Sequence, residues 1–157
     1  MTQQSRDPLI AMIDSQRSEL ESRILRPTVA YYGSIIVLTP EFEQLLAVRV
    51  TEGLDFVKSW LQAFSPEESR SYFAMMLEQT RAEGIGIAQA MQVTELVTNV
   101  IIAMAREKLL ASEREDAVRR LSNGALYGKT MLTSEMARQR KSGALTETGV
   151  AADEVED

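Results

Sequence analysis

Three of the four prolines in this chain stand directly after a helix-capping residue, in the pairs Asp7-Pro8, Thr39-Pro40 and Ser65-Pro66. An Asp, Thr or Ser at the cap accepts a hydrogen bond from an amide of the first helical turn. Proline in the next position loses nothing, because its missing N–H would have had no partner there and its φ is already helical. Glu41 and Glu67 follow two of these prolines, where an acid suits the positive end of the helix dipole. The chain is thereby divided into helices before any burial is considered.

Hydrophobic spacing fills in the rest. Ile10, Ile13, Leu20 and Ile24 recur at helical intervals after Pro8, and Pro27 is expected to end that helix. Thr28 to Leu38 is rich in β-branched and aromatic residues but has no second strand to pair with, so it reads as a short helix or an extended connector. Phe42, Leu46, Val50, Leu54, Val57 and Leu61 form the apolar stripe of a helix of about six turns. Ser65 and Glu68 have capping-box spacing, and Gly84 is placed to end the helix they open with a left-handed residue. Ile87 to Leu110 has the widest apolar face (Val93, Leu96, Val97, Val100, Ile101, Met104), which predicts the most buried helix. Gln92, Glu95, Asn99 and Arg106 form its polar stripe, on which Ile102 is out of place. Ser112 to Glu115 reads as a second capping box opening a last helix to about Lys141, with Asn123-Gly124 and Gly128 as possible interruptions. The expectation is an all-α bundle of five or six helices.

Charge separates a body from a tail. Of the net charge of −6, five units come from Glu147, Asp153, Glu154, Glu156 and Asp157, so residues 1–142 carry −1. Residues 1–142 are expected to form one helical domain and 143–157 a disordered acidic tail. A near-neutral body lacks the basic face that phosphate binding requires, which argues against nucleic acid as a partner. No unbroken apolar run approaches the ~18–20 residues of a membrane span, and the N-terminus lacks the pattern of a signal peptide. A cytoplasmic location is the expectation.

Chemistry is limited by what is missing. The chain has no Cys and no His. That removes thiolate and imidazole nucleophiles, bases and metal ligands, including the proximal ligand of a His-bound haem. Carboxylate pairs do not replace them: Glu68 serves a cap, and Glu113, Glu115 and Asp116 sit at a helix start. Glu95 would need burial and a raised pKa to act as an acid. Gly84-Ile85-Gly86 lacks the third glycine and the preceding strand of a dinucleotide loop, and Gly128-Lys129-Thr130 lacks the glycine of a phosphate loop. Eight methionines scattered over several helices read as core filling. No catalytic residue, metal site or cofactor is expected. Leu121, Gly124, Ala125, Gly128 and Leu132 make a small-residue face on the last helix, suited either to close packing within the chain or to a two-fold contact between copies. Ile102, Val118, Leu121, Ala125, Gly128 and Leu132 are the candidate dimer or partner contacts.

The layout resembles the N-terminal non-haem globin-like sensor domain of RsbR-type stressosome regulators. The resemblance rests on Arg81-Ala82-Glu83-Gly84-Ile85-Gly86-Ile87 leading into Ala90, Val93, Leu96 and Val97, on the Phe42–Leu61 helix followed by the Ser65 cap, and on the long helix from Ser112 to Lys141. It implies a globin-like fold that binds no haem, forms a homodimer, and acts as a sensory module in stress signalling through another signalling protein. RsbR-type proteins continue their last helix into a STAS domain, whereas here an acidic tail follows Gly143. The alternative expectation is a structural or adaptor protein that binds a partner through an exposed helix face or the acidic tail.

Overall fold

A computed structural model describes residues 7–141, and they are all-helical, with six helices and no strand among them. These are α1 (Pro8–Ser15), α2 (Arg17–Gly33), α3 (Pro40–Gln62), α4 (Pro66–Ala82), α5 (Ile87–Lys108) and α6 (Ala111–Lys141). The acidic segment 143–157 lies outside the described residues.

The three cap–proline starts form as the sequence predicts. Asp7 accepts from the amides of Leu9 and Ile10, Thr39 from Phe42, and Ser65 from Glu68. Gly84 has φ of +74° and ends α4, with its amide donating to the Arg81 carbonyl and the Ile85 amide reaching the Thr80 carbonyl at 2.7 Å. That is the hydrogen-bond pattern of a Schellman motif, with the apolar residue after it, Ile85, buried.

The start of the last helix differs from expectation. It begins at Ala111, before Ser112, and Glu113 accepts from the Leu110 amide at 3.1 Å. Glu113 thus makes the returning half of a capping box, and Leu110 stands at the cap without a side-chain oxygen. Gln89 does the same for α5 by accepting from the Gly86 amide. Nor do Asn123, Gly124 and Gly128 interrupt α6, which runs unbroken for 31 residues. A glycine costs a helix only about 1 kcal/mol, a deficit that packing can offset.

Pro27 does not end a helix; α2 passes through it to Gly33. The reason is burial. Leu20, Ile24, Thr28 and Tyr32 form one buried line at four-residue spacing, and stopping at Arg26 would withdraw Thr28 and Tyr32 from it. Thr28 also donates its hydroxyl to the Ile24 carbonyl at 2.7 Å. The break falls instead at Gln16, whose φ of −107° and ψ of 19° separate α1 from α2. Thr28–Leu38 is thus helical at its start and becomes a connection after Gly33.

Two compact units arise from this chain, with α5 and α6 each contributing to both. The first comprises residues 7–64 and 95–125. Its core is built from Leu9, Met12, Ile13, Leu20, Ile24, Val50, Leu54, Ile101, Met104 and Leu121. Ion pairs rim it: Arg17 holds Asp55 and Glu21, Arg23 holds Glu19 and Glu107, and Lys58 holds Asp14. The second comprises residues 65–94 and 126–141, with Phe73, Leu77, Ala90 and Leu132 buried.

The helix with the widest apolar face, α5, is not the most buried one: four of the eight residues of α1 are buried. In α5 Ala90, Ile101, Met104 and Ala105 are buried, whereas Val93, Leu96, Val97, Val100 and Ile102 are half-buried. By length and average composition α5 is also long and apolar enough to cross a membrane, since an average over 18 residues tolerates Glu95 and Asn99. Ile101, Met104 and Ala105 belong to the core of the first unit, and Ala90 is buried in the second.

Candidate interaction surface

The small-residue face of α6 is occupied by the chain itself. A methyl group placed on Gly124 would meet the Trp60 ring at 3.2 Å, and one on Gly128 would meet the Phe73 ring at 3.0 Å. Glycine at these two positions lets α6 lie directly against an aromatic ring. Leu121 and Leu132 are buried at 4% and 0% exposure. Leu121, Gly128 and Leu132 are therefore covered within one copy, and the structure does not bring them together as an open face. Of the other expected contacts, Val118 and Ala125 are half-buried, and Ile102 packs against the core of the first unit despite its place on the polar stripe.

Val118 does border an open surface feature. With Arg106, Arg114, Glu115 and Arg119 it lines a shallow groove of about 610 Å³ where α5 ends and α6 begins. Arg114 is fixed there by its Nε donating to the Leu109 carbonyl at 2.9 Å, and Arg119 is paired with Asp116. Three guanidinium groups and one carboxylate line the groove, with Arg119 partly offset by Asp116.

The first turn of α1 is clamped from α6. One Asp7 oxygen caps α1, and the other accepts from Arg120 at 2.7 Å. Burial raises the Asp7 carboxyl, but the hydrogen bond and charge of Arg120, with the Ile10 and Leu9 amides, outweigh it and leave Asp7 below its ordinary value. In the second unit, Glu135 is buried at 3% exposure and paired with Arg138. The Arg138 hydrogen bond lowers its pKa, overcoming desolvation, with further help from Arg138's charge, Gln139 and Arg70. Both carboxylates are held ionised by structural partners, the opposite of what a general acid needs. Glu95, the other carboxylate weighed from sequence, is exposed on α5. Among the described residues no group of three or more acidic side chains is placed to hold a metal ion.

The feature that sequence reasoning missed is an exposed apolar region around the α2–α3 connection. Among the described residues eight large hydrophobic side chains are exposed, and Ile35, Val37, Leu45 and Val48 fall within fourteen consecutive positions. Val37 is 92% exposed and Val48 54%. Tyr32 and Phe42, with ring centroids 5.7 Å apart, tie the end of α2 to the start of α3. The available signal was the apolar periodicity of α3: Leu46, Val50 and Leu54 complete its buried face, leaving Leu45 and Val48 as a second apolar pair on the other side. No family model, curated protein or solved structure matches this chain.

Proposed function

We propose that this protein is a non-catalytic helical module that works by binding another protein, through the surface formed by Ile35, Val37, Leu45 and Val48. The carrying observation is that this short stretch holds four of the eight exposed large hydrophobic residues among those described. Scattered single hydrophobes on a surface need no explanation, but a cluster marks a contact. Because these side chains are exposed, replacing them should leave the fold intact while abolishing the contact. The test is complementation of a deletion strain with a Leu45→Asp, Val48→Asp double variant, beside Leu126→Asp as a control at an isolated exposed position. The reading expects the double variant to accumulate folded and behave as the deletion, and the control to behave as wild type. Equal behaviour of the two would refute it.

A second reading is the sensory homodimer of the RsbR-type modules. What supports it is the half-exposed position of Val118 and Ala125 on the long α6, beside the open groove in the case of Val118. Sedimentation at micromolar concentration decides it. A dimer weakened by Val118→Asp or Ala125→Arg supports the reading, and a monomer throughout the accessible range rejects it.

A further inference from the structure

The outer face of α3 carries a charge pattern that selects its partner. Glu41, Leu45, Val48 and Glu52 are all exposed, and their spacing of four, three and four residues places them on one line along the helix. The line therefore reads acid, apolar, apolar, acid, and at 1.5 Å per residue it spans about 16 Å. Glu41 lies in the first turn, where an acid offsets the helix dipole, but Glu52 is three turns further on and has no such role. Residues 27–48 contain no Lys or Arg. The nearest cation beyond them on α3, Arg49, is half-buried with its guanidinium 5.9 Å from the centre of the Phe42 ring.

We propose that this stripe docks a helix of a different protein that presents a basic residue at each end of an apolar pair, with the same four, three and four spacing. This rests on the protein-binding reading above and names the chemistry of its partner. A second copy of this chain does not fit. Pairing two α3 stripes parallel sets Glu41 on Glu41 and Glu52 on Glu52, and pairing them antiparallel sets Glu41 on Glu52, so either orientation places acid against acid. An anionic lipid surface is disfavoured by the same two charges. A basic helix satisfies both, burying Leu45 and Val48 between two ion pairs that exclude other partners.

The probe is a synthetic helical peptide with Lys at both ends of a Leu pair at that spacing, beside a matched peptide with Glu at both ends, and vesicles containing anionic lipid. Binding is read by backbone amide chemical-shift changes on the whole protein. The inference expects the Lys peptide to shift residues of α3 and the α2–α3 connection, with about tenfold weaker binding in a Glu41→Lys, Glu52→Lys variant and further weakening by salt. Equal binding of the Glu peptide, binding of the Lys peptide elsewhere or not at all, or stronger shifts with vesicles would each overturn it. Concentration-dependent shifts on the stripe without peptide would also overturn it, in favour of a second copy. Failure of the peptides alongside an inactive Leu45→Asp, Val48→Asp variant in cells removes this inference alone. A fully active double variant removes the protein-binding reading as well.

Discussion

Gly128 is the position where adding a single methyl group tests the packing most directly. A Cβ there would lie 3.0 Å from Phe73 Cζ and 3.5 Å from both Phe73 Cε1 and Thr94 Cγ2. Phe73 is buried, so its ring has little room to withdraw, and its neighbour Tyr72 stands edge-on with centroids 5.3 Å apart. In an exposed helix, Gly→Ala stabilises by about 0.5–1 kcal/mol, through helix propensity. Overpacking a tight site costs about 1–3 kcal/mol. The second effect is the larger, so Gly128→Ala should destabilise by about 1 kcal/mol and lower Tm by about 2–4 °C. Gly124→Ala is the internal comparison: its nearest contact is 3.2 Å, to the half-buried Trp60, and it should lie closer to neutral. Thermal melts followed by far-UV circular dichroism measure both. A Phe73→Leu change should cost less in the Gly128→Ala background than in wild type, because the smaller side chain makes room for the methyl group. If Gly128→Ala instead raised Tm as an exposed glycine would, Phe73 would not be packed on α6 and the small-residue face would be free for another copy.

Gly84→Ala should destabilise by about 1 kcal/mol, since its φ of +74° strains any residue with a Cβ although nothing lies within 4 Å; urea midpoints would check this. Asp7→Ala should cost about 1 kcal/mol from the lost cap, whereas Asp7→Asn keeps a capping oxygen and loses only the charge toward Arg120, so the two separate the roles in denaturant titrations. Glu135 has its folded pKa held below the ordinary 4.5, so its stabilising contribution is complete above that value and is lost as pH falls through the lower folded one. Glu135→Gln should therefore make stability less dependent on pH in the acid range, as read from urea midpoints between neutral pH and about 3. Val37→Asp should leave the melting temperature unchanged, because a side chain 92% exposed gains almost nothing from folding.

The candidate site was less legible than the fold. The α6 face was visible as a pattern of Gly124, Ala125 and Gly128, but a stripe of small residues carries no label for what lies against it. Trp60 and Phe73 are 64 and 55 residues away in sequence, and only the folded chain places them there. Ile102 shows the same problem in reverse, since its outlying position on the helical wheel marked an external contact and the structure packs it against the core. The Leu45–Val48 surface was passed over because the stripe from Phe42 to Leu61 already accounts for the buried side of α3, and a short apolar pair opposite it leaves that period undisturbed.

What the sequence by itself determined was the set of local switches: the capped starts at Asp7, Thr39 and Ser65, the left-handed stop at Gly84, and the all-helical character between them. Each acts within one turn of backbone, so its energy is written in adjacent residues. Tertiary structure decided the continuation through Pro27, the unbroken run of α6, the partial burial of α5 and the exposed stripe on α3. These depend on which distant side chains remove a residue from water, and hydrophobic burial has no fixed range along the chain.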